Sequence, residues 1–238
     1  MNNKMNLCFI LFNKLFKRDM GDKIFPDEIY FQIGTYKGND NFLKIVKEKI
    51  PTIVIIVEPN SSLIDEIKSN YVDIDNSYIY NNAVYYTNEE DVGLYIGALN
   101  KIYGNQSPNG ITYCGAHYSL VPMNDWGSKE HLIRMGAKSI TFDEICQRHS
   151  IKEIEYLEMG TNGFDSEIIN MIDFGKYKIK KILFENWNFN PECFKDHNED
   201  KWERLGKIGT KNAIDKLKAN NYTVVENNCY QYLATLNE

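Results

Sequence analysis

The chain of 238 residues lacks the cysteine and histidine patterns that usually hold metals. Its five cysteines are widely spread and include no C-x-x-C pair, which argues against a zinc site and a disulfide framework. Its four histidines are scattered without an H-x-x-x-H pair, so we expect no metal site. No G-x-S-x-G sequence is present, which argues against hydrolase chemistry. The cysteines are therefore expected to be reduced thiols in a cytoplasmic, reducing compartment.

Positive charge and long apolar runs are also scarce. The 27 Lys and Arg residues are outnumbered by 33 Asp and Glu, and the net charge of −6 predicts no nucleic-acid partner. The apolar stretch Asn6 to Phe16 is too short to span a bilayer and is interrupted by Asn13 and Lys14, so we expect no transmembrane segment. It predicts a short amphipathic helix that packs on the domain, with a membrane contact as the alternative.

What the chain does have is enough apolar residues for one large core. Hydrophobic residues make up 43% of the sequence, and no internal repeat or linker is visible. We therefore expect an N-terminal extension over residues 1–24 and a single domain over residues 25–238. The sequence leaves the oligomeric state open.

The first part of the predicted domain has the pattern of a βαβ unit. The pattern comprises a strand at Ile29–Ile33, a turn between Gly34 and Gly38, a helix at Phe42–Ile50, a strand at Ile53–Val57 and then Glu58. Such units open nucleotide-binding sheets, in which glycines let the backbone approach a ligand. An acid after the second strand can accept hydrogen bonds from both ribose hydroxyls.

The glycine spacing favours one cofactor over another. Dinucleotide sites show G-x-G-x-x-G around a pyrophosphate, whereas this turn is G-x-x-x-G with Lys37 inside it. S-adenosylmethionine has no phosphate, and its sites use this looser turn. An ordinary α/β turn followed by a surface glutamate remains the alternative.

The later segments alternate between strand and helix patterns, which predicts a mostly parallel, doubly wound sheet that ends in an antiparallel hairpin. The strands are expected at Ser77–Tyr86, Gly93–Gly97, Glu153–Met159 and Ile179–Glu185, with a short one after Ser139. The helices are expected at Ser61–Asn70, from Phe142 with Thr141 as its cap, at Phe164–Ile172 and at Lys201–Asn220. The hairpin joins Tyr222–Val225 to Tyr230–Thr235 through Asn227 and Asn228, and Asn100–Asp125 is expected to be a long loop.

Several motifs in order resemble the FkbM-type S-adenosylmethionine-dependent methyltransferases, over roughly Ile29 to Leu236. Gln32 to Gly38, QIGTYKG, is similar to the Q-I-G-A-N-D-G turn of one branch of that family. The other matches are Glu58-Pro59, Asn82-Ala83-Val84, TFDEI from Thr141, YLEMGTNGFDSEII from Tyr156, and the strand Lys181 to Glu185. The resemblance implies a class I methyltransferase-like (Rossmann-like) seven-stranded fold with S-adenosylmethionine as cofactor.

The resemblance also implies which residues form the site. The residues expected to hold the cofactor are Gln32, Gly34, Thr35, Tyr36, Lys37, Gly38, Glu58, Pro59, Asn82 and Ala83. Lys37 would meet the carboxylate of the methionine moiety or be solvated. Two positions depart from the family, which has Asp and Glu where this chain has Gly160 and Asn162. No catalytic residue is assigned, and the candidates are Asn162 and Asp165.

The predicted function is methylation of an oxygen on a sugar, glycan or other small hydroxyl acceptor. The departures favour an alternative, a binding protein that retains the fold without catalysis. A nucleotide-sugar or dinucleotide enzyme is disfavoured by the glycine spacing. His117, Asp125, Tyr113, Tyr118 and Trp126 either form a sugar-binding wall or cover the sheet edge. The segment Asn186 to Trp202 is expected to be a loop that can close on a substrate.

Overall fold

A computed structural model describes residues 28–99, 112–119, 133–185, 207–228 and 231–238. The predicted extension at residues 1–24, the predicted closing loop at residues 186–202, and Asp125 and Trp126 lie outside the described residues. Within the described ranges, no helix has both the length and the apolar composition needed to span a membrane.

The described elements follow the predicted alternation. The strands are β1 (Ile29–Ile33), β2 (Ile53–Val57), β3 (Ser77–Tyr80), β4 (Ala83–Val84), β5 (Val92–Leu99), β6 (Thr112–Ser119), β7 (Ile133–Ala137), β8 (Ser139–Ile140), β9 (Glu153–Met159), β10 (Lys178–Glu185), β11 (Tyr222–Asn228) and β12 (Gln231–Leu236). The helices are α1 (Asn41–Lys49), α2 (Ile64–Asn70, preceded by a 3₁₀ turn at Ser61–Leu63), α3 (Phe142–Arg148), α4 (Asp165–Met171) and α5 (Lys207–Ala219).

The main sheet has seven strands in the order β3-β2-β1-β9-β10-β12-β11. The five strands from β3 to β10 pair in parallel, and β12 pairs antiparallel with both β10 and β11. This arrangement confirms the predicted fold class, a class I methyltransferase-like, mostly parallel doubly wound sheet with a C-terminal antiparallel hairpin. The chain order reverses between β1 and β9, which is where ligands bind in open α/β sheets.

Both faces of the sheet are covered by helices, as the nearly continuous apolar strands require. On one face, Tyr30, Val54 and Ile56 pack against α1 and α2. On the other, Phe31, Ile55 and their neighbours pack against α3, α4 and α5. The central strands are therefore held from both sides, and their carboxyl ends are fixed in position.

Helix α1 begins and ends at identifiable residues. The Asp40 side chain accepts hydrogen bonds from the backbone amides of Phe42 (3.0 Å) and Leu43 (3.3 Å), which satisfies two donors of the first turn. At the other end, Ile50 adopts a left-handed conformation with φ of 51°. The predicted cap of α3 is confirmed, because Thr141 Oγ1 accepts from the Glu144 amide at 3.0 Å.

Three sequence predictions about the strands were wrong. The predicted strand Ser77–Tyr86 is broken at Asn81 and Asn82, and its second half is β4, which pairs with β8 in a separate two-stranded sheet. The predicted loop Asn100–Asp125 contains β6, which joins β5 and β7 in a three-stranded sheet. Asn227 and Asn228 belong to β11 rather than to the hairpin turn, because Asn228 still pairs with Gln231.

Candidate functional site

A cleft lies at the carboxyl ends of β1, β2 and β9, at the point where the strand order reverses. The space between its lining atoms is about 560 Å³, part of which is open solvent. The side of β1 and β2 contributes Ile33, Gly34, Tyr36, Glu58 and Pro59, and the turn after β9 contributes Gly160, Thr161, Asn162 and Phe164. The remaining lining residues are Asn82, Ala83, Val84 and Leu94.

Glu58 is the buried carboxylate of this cleft, with only 4% of its surface exposed. Its Oε2 accepts a hydrogen bond from the Tyr36 amide and its Oε1 accepts from the Asn60 amide, each at 2.9 Å. Burial raises the pKa of Glu58 to about 7, although the amides of Asn60, Tyr36 and Thr35 act in the opposite direction. A carboxylate has about four acceptor sites, so Glu58 can accept further donors from a ligand.

The two glycines of the turn are needed for a reason that the sequence did not predict. Gly34 has φ of +81°, and a Cβ on it would lie 2.4 Å from the Gly160 carbonyl oxygen. Gly38 has φ of +67°, and its Cβ would lie 3.1 Å from the Tyr71 ring. Neighbouring protein atoms thus require glycine at both positions, and the approach of the backbone to a ligand stays a prediction.

Four of the predicted cofactor residues lie away from the lining of the cleft. They are Gln32, Thr35, Lys37 and Gly38. The buried Gln32 amide donates instead to Asp40 Oδ2 (2.7 Å) and Glu158 Oε1 (3.2 Å), beneath α1. Lys37 pairs with Glu66 at 3.4 Å. These contacts give Gln32 and Lys37 structural roles in holding the turn against α1 and α2.

Asn82 and Ala83 reach the cleft because the predicted strand is broken at Asn81 and Asn82. The Ala83 amide donates to the Lys138 carbonyl (2.8 Å), and the Asn82 side chain donates to the Ser139 carbonyl (3.4 Å). Asn81 ties this segment to β2, because its amide group donates to the carbonyl oxygens of Glu58 (3.0 Å) and Pro59 (3.1 Å). The break that sequence periodicity missed therefore places two of the predicted residues beside Glu58.

The two catalytic candidates have different surroundings. Asn162 lines the cleft in a left-handed conformation with φ of 53°. Asp165 is completely buried, and burial raises its pKa. Its carboxylate accepts from the Thr161 amide (2.8 Å), the Thr161 hydroxyl and the Glu185 amide (2.7 Å). Asp165 therefore serves the structure of the turn and does not line the cleft.

Sequence reasoning missed part of the lining. Thr161 and Phe164 lie inside the stretch that resembles the family motif, so the motif itself carried the signal that could have found them. Leu94 comes from β5, in the three-stranded sheet, and no pattern in the sequence marked it. In the described ranges, no group of three or more His, Cys, Asp or Glu side chains could hold a metal ion.

No family model matches the chain, and no curated protein matches it. Among solved structures, it is similar to precorrin-6y C5,15-methyltransferase from Geobacter metallireducens GS-15, with 10% identity, a TM-score of 0.41, and coverage of 89% of this chain and 80% of that one. It is also similar to Aeropyrum pernix fibrillarin in complex with S-adenosyl-L-methionine, with 9% identity, a TM-score of 0.38, and coverage of 88% and 66%.

A third similar structure is the ribosomal protein L11 methylase from Lactobacillus delbrueckii subsp. bulgaricus. The identity is 9%, the TM-score is 0.35, and the coverage is 90% of this chain and 73% of that one. All three TM-scores are below 0.5, so the assignment of the fold rests on the strand order and directions rather than on these likenesses.

Proposed function

We propose that this chain is an S-adenosylmethionine-dependent methyltransferase of the FkbM type, which methylates an oxygen of a sugar, glycan or other small hydroxyl compound. The observation that carries the proposal is the buried Glu58 carboxylate in a cleft at the point where the strand order reverses. The FkbM type and the hydroxyl acceptor are supported by the sequence motifs alone.

The residues present fit the cofactor. The ribose hydroxyls would donate to Glu58, whose carboxylate is already oriented by two backbone amides. Asn82, Ala83 and Pro59 would hold the adenine beside them, and the turn at Gly34 and Tyr36 would face the methionine portion. Because β1 lies between β2 and β9, a ligand held at Glu58 would extend across β1 toward Gly160 and Asn162. The cofactor supplies the methyl group on a sulfonium, and the chain supplies position and orientation.

Calorimetry with S-adenosylmethionine and with NAD tests the cofactor. We expect S-adenosylmethionine to bind more tightly, because the turn is not built for a pyrophosphate. Glu58→Ala should weaken its binding by roughly 1.5–3 kcal/mol, the usual contribution of a hydrogen bond to a charged group. Glu153→Ala is the matched control, since Glu153 is a half-exposed glutamate that pairs with Lys178 at 3.5 Å, outside the cleft lining. Tighter binding of NAD, or equal losses in the two variants, would contradict the assignment.

The alternative is a binding protein that retains the fold without turnover. Gly160 and Asn162 favour it, because neither offers the carboxylate found at these positions in the family. Release of the demethylated cofactor in the presence of sugars, glycans and small hydroxyl compounds would separate the two functions. Methylation of RNA or protein, without methylation of any sugar, would contradict the proposed acceptor class and leave the proposed cofactor unaffected.

A further inference from the structure

Leu94 brings the three-stranded sheet to the wall of the cleft. On β5, Val92 lies opposite Ala137 of β7, and β7 is followed after one residue by β8. Strand β8 pairs in parallel with β4, where Ala83 lies opposite Ser139. The strand that carries Leu94 is therefore joined through two pairings to the segment that carries Ala83, which also lines the cleft.

The Leu94 side chain is buried and packs in a small apolar cluster. Only 2% of its surface is exposed, and the cluster also contains Ala83, Val92 and Ala137. Val92 and Leu94 are two positions apart on one strand, so their side chains point to the same face of the three-stranded sheet. Of these two neighbours, Leu94 lines the cleft and Val92 does not. The strand thus provides a lining residue and a matched residue that shares its surroundings.

The lining residues around Leu94 are mostly apolar. Ala83 belongs to the same cluster, Val84 follows it, and Asn82 supplies the one polar side chain of this short segment. S-adenosylmethionine has charged groups only in its methionine portion, whereas its base is neutral and flat. A charged group against an apolar wall would lose water without gaining a partner. The base is therefore the portion of the cofactor that suits the wall at Leu94.

We propose that Leu94 determines specificity by closing the base end of the cleft, so that a purine fits there and a purine with an added ring does not. The inference rests on the proposed S-adenosylmethionine site and adds a limit on the size of its ligand. It gives a role in binding to a sheet that is separate from the main one. One methylene group more or less in an apolar pocket is worth about 10–200-fold in discrimination, so a single side chain is enough to set such a limit.

The test ranks adenosine against bulkier adenosines by calorimetry. Adenosine carries the base and the ribose without the methionine portion, and a benzyl group on N6 or a phenyl group on C2 adds a ring to the base. We expect the wild type to bind adenosine at least about tenfold more tightly than either ring-bearing compound. In Leu94→Ala, the space that the leucine side chain occupied should admit one of the added rings. For that compound the ratio of affinities should fall by at least about tenfold.

Val92→Ala is the matched control for this change. It removes a buried side chain from the same strand, face and cluster, but Val92 does not line the cleft. The control should therefore keep the wild-type ratio even where its melting temperature falls. Leu94→Met, the conservative variant, preserves the side-chain volume and should retain the preference for adenosine. Leu94→Val removes a single methylene group, so it tests the same limit if Leu94→Ala does not fold, with an expected change of about fourfold.

The outcomes separate this inference from the proposed function. The role of Leu94 would be overturned by an unchanged ratio in the alanine and valine variants, by an equal change in Val92→Ala, or by a wild type that binds the ring-bearing compounds as tightly as adenosine. The cofactor assignment would stand in each of these cases, because it is tested at Glu58. A wild type that binds neither adenosine nor S-adenosylmethionine would overturn both. A change of ratio confined to the Leu94 variants of reduced size would support Leu94 as the residue that limits the base end.

Discussion

At Glu58, burial opposes the ionised carboxylate while backbone amides favour it. Burial is the larger effect, so the folded pKa of about 7 lies well above the usual value of 4.5. The contribution of Glu58 to the stability of the free protein is therefore fully present below pH 4.5 and is lost as the pH rises through 7. A ligand whose hydroxyl groups donate hydrogen bonds to the carboxylate would offset the free-energy cost of burying the ionised Glu58.

This pKa predicts that ribose binding depends on pH. Adenosine carries the ribose diol and has no group that titrates between pH 6 and 8, so it reports on the protein alone. Its affinity should be about tenfold weaker at pH 6 than at pH 8, because the ionised fraction of Glu58 changes by about that factor around pH 7. Isothermal titration at the two pH values measures it. In Glu58→Gln the dependence should disappear, and a slope that persists there would assign the titration to another group.

The glycine and lysine positions show how far motif reasoning reaches at the level of single residues. The motif located Gly34 and Glu58 because chain order and spacing carry that information. It could not show that the Gly34 Cβ would meet the Gly160 carbonyl, or that Lys37 would pair with Glu66. Both contacts join segments that are far apart in the chain, and their distances exist only once the strands are side by side.

At the scale of the elements, the turn between β9 and α4 is held in place by the side chain of Asp165. Asp165 joins this turn to the end of β10 through its bonds to Thr161 and Glu185. The sequence placed Asp165 in the first helical turn correctly but gave no sign of its complete burial. Helical periodicity shows which residues share a face, whereas the depth of that face depends on β10 and on α5, which pack over it.

Removing this side chain should destabilise the fold. Asp165→Ala leaves the amides of Thr161 and Glu185 without their acceptor, and each buried unpaired donor costs about 1–3 kcal/mol. We expect a loss of about 2–5 kcal/mol in the free energy of unfolding, measured by urea denaturation. Asp215→Ala is the control, since that exposed pair with Lys211 contributes less than about 1 kcal/mol. Comparable losses in the two variants would show that Asp165 is not a structural anchor.

At the scale of the whole molecule, the alternation of strands and helices was enough to predict a mostly parallel, doubly wound sheet that ends in an antiparallel hairpin. Crossover connections through helices place β2 beside β1 and β3 beside β2, whereas the pairing of β1 with β9 joins strands that are far apart in the chain. The three-stranded sheet of β5, β6 and β7 was not predictable in the same way. Its middle strand β5 overlaps the strand predicted at Gly93–Gly97, but β6 lies in a segment rich in Gly, Asn, Pro and Ser, whose composition is typical of loops. Among the side chains of this three-stranded sheet that the structure describes, Leu94 is the one that lines the cleft.

The position of the cleft predicts how the whole protein responds to a ligand. A compound that contacts Glu58, Gly34 and Asn162 would bridge the ends of β2, β1 and the turn after β9, and would bind only the folded chain. At a concentration of S-adenosylhomocysteine about 100 times its dissociation constant, mass action stabilises the fold by about 2.7 kcal/mol. For a chain of this size the melting temperature should rise by roughly 5–10 °C, measured by calorimetry or a thermal-shift assay. NAD at the same concentration should raise it by less than about 2 °C, and an equal rise would show that the cleft does not distinguish a nucleoside thioether from a dinucleotide.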